Sequence, residues 1–248
     1  MSEKLLRIAS YNIRKARGLD QRRRPERTLQ VINKLEADIV VLQEADKRMG
    51  VRHPAIPRRM IEAETDFYLA EVSENAISLG WHGNAVLVRK GINITGYERI
   101  VLPGLEPRGA LRLDLDTGLD PNTGLDPVTG GGLRVIATHL GLLRRDRRAQ
   151  LDVLCQLRAS HGPTVIAGDF NEWSSRTGLE PLAARFAVHT PGQTFHARRP
   201  VAALDRFALS HGIDLRDAGV AQDAVARRAS DHLPIWSDIA LPLADVIG

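Results

Sequence analysis

The sequence predicts an α/β fold in which two packed mixed sheets are flanked by helices, and three observations lead to this prediction. Short apolar runs of strand length recur along the whole chain, and Asp38–Leu42 is a clear example. Segments with helical spacing, such as Pro25–Leu35, separate some of these runs. Other runs, such as Ile92–Val101 and Ala110–Leu115, follow one another directly, which favours antiparallel pairs within a mixed sheet.

In the first half of the chain, predicted strands end in polar residues. Leu5–Tyr11 predicts a strand that ends at Asn12, and the apolar run Asp38–Leu42 predicts one that ends at Gln43 and Glu44. Between them, Pro25–Leu35 predicts a helix, since its apolar residues recur with helical spacing and proline suits a first turn. Further strands are predicted at Phe67–Val72 and Ala85–Val88, before the pair Ile92–Val101 and Ala110–Leu115.

The second half of the chain repeats this arrangement. Leu133–Thr138 predicts a strand that ends at His139, and the amphipathic pattern of Asp146–Ser160 predicts a helix. The apolar run Pro163–Ala167 predicts a buried strand, which is followed by the sequence Gly-Asp-Phe-Asn at positions 168–171. The remaining predicted elements are a short helix near Gly178–Ala184 and strands at Leu204–Ser210 and Ile235–Leu241.

Domain organisation follows from what separates these elements. No linker divides the chain, so residues 1–248 are predicted to form a single domain. Residues 117–130 read TGLDPNTGLDPVTG, a repeat of period six whose proline and glycine exclude a regular helix or a central strand. This segment is either a calcium- or partner-binding loop or a duplicated hairpin tip; the second is favoured, because two carboxylates on such a loop make a poor calcium cage.

The charge of the chain lies mainly in arginine. The net charge is only +4, from 34 basic and 30 acidic residues, but arginine outnumbers lysine 29 to 5. Clusters such as Arg22–Arg24 and Arg144–Arg148 fall in segments that resemble loops or helix starts. The planar guanidinium grips phosphate with two hydrogen bonds, so these clusters favour an anionic partner. Ordinary solvated surfaces of an arginine-rich protein are an equally good interpretation of any one cluster.

Composition also bounds location and redox chemistry. No apolar run reaches the roughly 18 residues needed to cross a bilayer, and the first residues, MSEKLLR, lack the apolar core of a signal peptide. The single cysteine, Cys155, excludes an internal disulfide and lies in a helical pattern, which predicts a buried structural thiol. We therefore expect a cytoplasmic monomer without an obligate protein partner.

Polar residues recur at predicted strand ends, and together they indicate phosphate-ester chemistry. They supply many oxygen ligands, two histidines and no thiolate, a set that suits a hard cation such as Mg²⁺ or Mn²⁺. Such a cation beside histidine is typical of metal-assisted phosphoester hydrolysis. The chain has no GxSxG elbow and no GxxxxGK[ST] loop. The residues concerned are Asn12, Glu44, His139, Asp169, Asn171, Asp205, Asp231 and His232.

Eight motifs in chain order resemble those of the endonuclease/exonuclease/phosphatase superfamily, which includes deoxyribonuclease I. They cover about residues 5 to 241, nearly the whole chain, and the resemblance is strongest to small bacterial members. It implies a four-layer α/β/β/α sandwich with the active-site cleft at one edge of the two sheets. The motifs are SYNIR (10–14), LQEAD (42–46), HGNAVL (82–87), RGAL (108–111), THLGL (138–142), AGDFNEW (167–173), LDRFALS (204–210) and SDHLPI (230–235).

The resemblance also implies roles for individual residues. Glu44 would be the principal ligand of Mg²⁺ or Mn²⁺, with Asn12 and Asp231 completing the metal environment. His232 would be the general base, its ring held by Asp205. The resemblance further implies that Asp169 orients or activates the attacking water, that Asn171 and His139 donate to phosphate oxygens, and that Arg108 and Asn84 contact substrate or support the site. Trp173 either walls the cleft or packs beside it.

The resemblance leaves several alternatives open. The base is His232 or Asp169, and one or two metal ions could be bound. The substrate is an anionic phosphate ester, which could belong to a nucleic acid or to a phospholipid or inositol phosphate. Against a nuclease, aromatic residues make up only 4% of the chain; against a lipid enzyme, no Trp- or Phe-rich amphipathic anchor is evident. A non-catalytic binding module is the least favoured class, because the ionisable set is complete.

Overall fold

The protein, described by a computed structural model, contains two six-stranded sheets within the described residues 5–47, 50–118, 132–157, 162–174 and 177–241. The first sheet has the order β11-β12-β1-β2-β4-β3 and the second β5-β6-β7-β8-β10-β9. The strands are β1 (Leu6–Asn12), β2 (Ile39–Gln43), β3 (Phe67–Leu69), β4 (Ala85–Arg89), β5 (Asn93–Leu102), β6 (Arg108–Asp116), β7 (Gly132–His139), β8 (Thr164–Asp169), β9 (Phe186–His189), β10 (Asp205–Ser210), β11 (Asp214–Val220) and β12 (Ile235–Ala240).

Each sheet is mixed, as the sequence predicts. β1 and β2 run parallel in the first sheet, and β7 and β8 run parallel in the second. The other described strand pairs are antiparallel. The helices are α1 (Pro25–Lys34), α2 (Arg58–Glu64), α3 (Arg144–Gln156), α4 (Glu180–Ala183) and α5 (Ala226–Ala229).

Alternating side chains in the central strands build the layers. In β8, Val165 points into the core between the two sheets, whereas its neighbour Ile166 points outward and packs with Leu151 and Leu154 of α3. The central strands of the first sheet alternate in the same way, with one face against the second sheet and the other beneath α1. Since both faces of the sheets are covered, their strands read as continuous apolar runs, and the predicted four-layer sandwich is confirmed.

Several predicted elements differ in extent. β3 ends at Leu69, three residues before its predicted end, and α3 begins at Arg144 and ends at Gln156 instead of running from Asp146 to Ser160. Four short elements, α2, β9, β11 and α5, have no counterpart among the predicted ones. The prediction for Cys155 is confirmed, because its thiol is buried and lies 3.2 Å from the carbonyl oxygen of Pro181.

Two further expectations can be compared only with the residues that the structure describes. Most of the TGLDP repeat lies outside them, since they stop at Gly118 and resume at Gly132. Within the described part of the chain, no helix combines the length and apolar character needed to cross a membrane.

Candidate active site

The polar strand ends of both sheets lie at one edge of the sandwich. In the first sheet Asn12 ends β1, and Glu44 directly follows β2, its parallel neighbour. In the second sheet His139 ends β7 and pairs in register with Asp169, the last residue of β8. Asp205 begins β10, which runs antiparallel to β8, and it therefore stands opposite Asp169 at the same edge.

The last predicted pair reaches this edge from the loop before β12. Asp231 and His232 lie just ahead of β12, the antiparallel neighbour of β1. The Ser230 hydroxyl donates a hydrogen bond to the Asn12 carbonyl oxygen at 2.7 Å, which ties this loop to the end of β1. The fold therefore brings to one edge residues that are up to 220 positions apart, from Asn12 to His232.

Asp169 joins the two sheets at the centre of the site. Its Oδ2 accepts a hydrogen bond from Asn12 Nδ2 at 3.0 Å, and His139 Nε2 lies 3.4 Å from the same oxygen. Its Oδ1 accepts the backbone N–H of Asn171 at 2.9 Å. Burial raises the pKa of Asp169 to about 6, because removing the carboxylate from water disfavours its charged form. The negative charge of Asp205 acts in the same direction.

His232 lies between two buried carboxylates. Its Nδ1 is 2.9 Å from Asp205 Oδ2, and its Nε2 is 3.7 Å from Asp169 Oδ2. Burial alone would lower the pKa of this imidazole, but Asp205 first and then Asp169 outweigh that effect and raise the pKa to about 10. The two carboxylates thus fix the orientation of the ring and stabilise positive charge on it.

Close backbone packing explains the glycine that precedes Asp169. Gly168 stands opposite Thr138 of the parallel neighbour β7. A Cβ at position 168 would lie 1.9 Å from the Thr138 carbonyl oxygen, so only glycine lets the two strands approach this closely here. Asn171 then adopts φ of +50°, and its Nδ2 donates to the Leu140 carbonyl oxygen at 2.8 Å. The Gly-Asp-Phe-Asn sequence thus fixes the Asp169 and Asn171 side chains beside the end of β7.

Basic side chains neutralise the carboxylates on the first-sheet side of the site. Lys15 Nζ forms an ion pair with Glu44 Oε2, and Arg14 Nε lies 3.1 Å from Asp231 Oδ2. Asn12 Oδ1 accepts the backbone N–H of Arg14 at 3.1 Å. Each of the two carboxylates on this side of the site therefore already has a positively charged partner.

A cavity of about 300 Å³ opens beside Glu44 and His139. Arg108 lines it, and the Arg108 guanidinium is held by Glu106 through contacts of 2.8 and 3.1 Å. The remaining lining combines further basic groups with a buried acid: Lys15, Asp46, Lys47, Arg52, His82, Gly83 and Pro107. The cavity is small and rich in positive charge, which suits a compact anion.

Asn84, by contrast, does not line this cavity. It is fully buried, and its Nδ2 donates to the Gly109 carbonyl oxygen at 2.8 Å. Of the two side chains that the resemblance links to substrate contact or support, only Arg108 therefore faces the cavity, whereas Asn84 secures the start of β6.

Sequence reasoning missed two polar contributors to this edge. Lys15 carries no predicted role, and its position over Glu44 depends on a left-handed turn with φ of +56°. Asp46 was part of the LQEAD motif but received no role; its carboxylate accepts the N–H groups of Leu79 and Gly80 at 2.8 and 3.3 Å. Burial raises the pKa of Asp46 to about 6.

An aromatic pair borders the site on the second-sheet side. The Phe195 ring lies against the His232 ring, with centroids 5.0 Å apart. Trp173 meets Phe195 edge to face at 5.8 Å, and 62% of Trp173 remains exposed. Trp173 therefore packs on Phe195, the second of the two alternatives that the sequence left open, while most of the residue stays exposed.

The arginine clusters divide between structure and surface. Arg147, within the cluster at 144–148, is buried and binds Glu172 at 2.9 Å and the Leu142 carbonyl oxygen at 2.6 Å. Its neighbours Arg145 and Arg148 are exposed. In the cluster at 22–24, Arg22 lines a separate groove together with the nearby Arg27.

Two packed mixed sheets covered by helices, with a polar site across one edge, define the α/β sandwich fold of deoxyribonuclease I-like proteins. The chain belongs to the endonuclease/exonuclease/phosphatase family, whose model matches residues 9–232.

Individual relatives agree with this membership. The chain is 29% identical over 235 residues to the uncharacterised protein YbhP of Escherichia coli K12, covering 85% of this chain and 86% of YbhP. The structure of an endonuclease/exonuclease/phosphatase from Beutenbergia cavernae matches with a TM-score of 0.73 at 23% identity, over 98% of this chain and 73% of that one. The mannosyl-6-phosphatase Bt3783 of Bacteroides thetaiotaomicron matches with a TM-score of 0.72 at 17% identity, over 95% and 100% of the respective chains. The two structural matches, at 23% and 17% identity, show a shared fold alone.

Proposed function

We propose that the protein is a divalent-metal-dependent hydrolase of phosphate esters, most specifically a phosphodiesterase that works by in-line attack of an activated water. The observation that carries this proposal is the position of His232, with Nδ1 held by Asp205 at 2.9 Å and Nε2 directed at Asp169. A histidine ring held in this way is better suited to proton transfer than to a purely structural packing role. Membership of a family named for nucleases and phosphatases supports the same chemistry.

Glu44, Asn12 and Asp231 fit a hard divalent cation. All three offer oxygen atoms, and the two carboxylates are already faced by the cations of Lys15 and Arg14. When bound there, Mg²⁺ or Mn²⁺ would offset phosphate charge and lower the pKa of a water. The protein's contribution is to hold these ligands at the end of β1, just after β2 and in the loop before β12.

A second group of possible ligands is better interpreted as a proton-transfer unit. Asp169, Asp205 and His232 each place one donor atom within 4.8 Å of the others. Both nitrogens of His232 are directed at carboxylates of the same group, however, so the ring is already engaged on both sides. We therefore place the metal at Glu44 and keep this group for proton transfer.

The other roles in the proposed reaction belong to side chains of the protein. In its neutral form, His232 takes at Nε2 the proton released by the attacking water, while Asp205 holds the ring and stabilises the charge that it gains, and Asp169 orients the water. His232 and Asp169 interact closely enough that their protons belong to the pair, so Asp169 shares in this step. His139 and Asn171, on either side of Asp169, donate hydrogen bonds to the non-bridging phosphate oxygens.

Hydrolysis of bis-p-nitrophenyl phosphate tests the proposed function. We expect turnover with Mg²⁺ or Mn²⁺, loss of turnover with a chelator, and loss in Glu44→Ala, because that variant lacks the carboxylate that binds the cation. Glu62→Ala is the matched control, since Glu62 is an exposed acid on α2. Turnover that survives both chelation and Glu44→Ala would refute the proposal.

The ion pair between Lys15 and Glu44 predicts competition between the ammonium and the metal. In Lys15→Met we expect Mn²⁺ to bind roughly two- to fivefold more tightly, the size of effect that a partly exposed ion pair supports. Isothermal titration of the metal into each protein measures this without turnover. Lys47→Met, which removes an exposed lysine from the same cavity, is the control. Equal or weaker binding in Lys15→Met would contradict the competition.

A further inference from the structure

Exposed hydrophobic side chains are concentrated around the proposed active site. Five of them, each more than half exposed, come from four loops at the active-site edge of the second sheet. Leu105 is 76% exposed on the β5–β6 loop, and Leu142 and Leu143 precede α3. Trp173 follows β8, and Val201 lies between β9 and β10. We call these five residues the hydrophobic rim.

Direct contacts make the hydrophobic rim continuous. The Leu105 N–H donates to the carboxylate of Asp146 at 3.1 Å, which joins the β5–β6 loop to the first turn of α3. Arg147 binds both the Leu142 carbonyl oxygen, at 2.6 Å, and Glu172, the residue before Trp173, at 2.9 Å.

The opposite end of the hydrophobic rim joins the proposed active site. The Trp173 ring meets the Phe195 ring, and the Val201 N–H donates to the Phe195 carbonyl oxygen at 2.7 Å. Phe195 also lies against His232, with ring centroids 5.0 Å apart. A surface that the hydrophobic rim contacts would therefore lie directly beside the proposed active site.

Arginine gives the hydrophobic rim a positive border. Arg144 and Arg145 are exposed in the first turn of α3, next to Leu143, and Arg198 and Arg199 are exposed on the Val201 loop. Two acids of the same region are engaged internally, since Glu172 is paired with Arg147 and Asp146 accepts the Leu105 N–H. The surface around the rim is therefore apolar at its centre and cationic at its margin.

We propose that the hydrophobic rim docks on an anionic phospholipid surface and that the substrate is a phospholipid headgroup ester, an inference that rests on the proposed function. Apolar patches of this kind mark interaction sites, and a cationic margin fits the negative potential of anionic lipid. Four of the five rim residues are leucine or valine, which insert among acyl chains but offer no face on which a nucleotide base could stack. The cavity of about 300 Å³ beside Glu44 suits one compact headgroup better than a polymer backbone.

Vesicle binding tests this inference without turnover. Wild-type protein is expected to sediment with vesicles of phosphatidylcholine and phosphatidylglycerol, more weakly with phosphatidylcholine alone, and less as salt rises. Leu142→Ser/Leu143→Ser/Trp173→Ser is expected to bind roughly tenfold more weakly. Tryptophan emission should shift to the blue on binding, and the shift should be lost in Trp173→Phe, since Trp81 and Trp236 are less exposed than Trp173.

A matched control keeps the test specific. Leu5→Ser/Tyr97→Ser removes two exposed hydrophobic residues, one at the opposite end of β1 and one on the edge strand β5, and should leave vesicle binding unchanged. Circular dichroism of each variant checks its folding. The inference fails if wild type ignores anionic vesicles, or if the rim variant loses binding to a single-stranded oligonucleotide and not to vesicles. Either result leaves the soluble diester assay intact, so a failure of the proposed function is recognised separately.

Discussion

His232→Ala is expected to hydrolyse bis-p-nitrophenyl phosphate roughly 10²- to 10⁴-fold more slowly than wild type, the usual contribution of a positioned acid or base. The expectation follows from the fixed ring, whose Nδ1 is held at 2.9 Å by Asp205 while Nε2 faces Asp169. The loss should appear in kcat, because the imidazole acts on the proton of the water and does not enclose the substrate.

Asp205 acts through His232, and this makes the prediction sharper. Asp205→Asn alone should lower kcat by a smaller factor, since the amide still contacts the ring but no longer stabilises its charge. The double variant His232→Ala/Asp205→Asn should be no slower than His232→Ala alone, because residues that act as a unit are not additive. Asp214→Asn, an exposed acid on β11, is the control. Losses that multiply in the double variant would show that Asp205 contributes independently of the histidine.

The predictability of each element from the sequence depended on how much of it is buried. β2 and β8 are buried on both faces, and their continuous apolar runs identified them. β11 was missed because it is an edge strand with three charged residues among seven and a bulge between Leu215 and Asp217. α2 was missed because Ile61 is its only fully buried residue among seven, which leaves no amphipathic pattern to detect.

At the candidate site, residues next to strand ends could be predicted and residues placed by loops could not. His139 and Asp169 are the last residues of parallel neighbours, so strand prediction alone brings them to one edge. The contact of Lys15 with Glu44 depends on consecutive left-handed residues, and the approach of Phe195 to His232 depends on a long loop. Neither leaves a periodic pattern in the sequence.

The hydrophobic rim illustrates the same limit. No single continuous segment of the sequence has the pattern of an apolar anchor. The rim instead collects one or two residues from each of four loops, and the nearest loops in sequence are separated by a strand or a helix. Only the packing of β5 to β10 in one sheet makes these residues neighbours.

The buried ion pair between Arg147 and Glu172 predicts the largest loss of stability. Arg147→Met should lower the free energy of unfolding by about 3–5 kcal/mol, because the carboxylate of Glu172 would remain buried without its partner. Arg147 also holds the Gly141 and Leu142 carbonyl oxygens, which would lose their donor. In a protein of this size the midpoint of thermal unfolding should fall by roughly 10 °C.

Three variants separate the ion pair from arginine content as such. Arg148→Met, at the exposed neighbouring position, should change the free energy of unfolding by less than about 0.5 kcal/mol. Arg147→Met/Glu172→Gln should recover part of the loss, because it leaves a neutral amide in place of the buried charge. Chemical denaturation of the variants measures these differences. Equal effects at positions 147 and 148 would contradict a structural role for the buried pair. Arg147 would then behave as one more arginine of the surface cluster at 144–148.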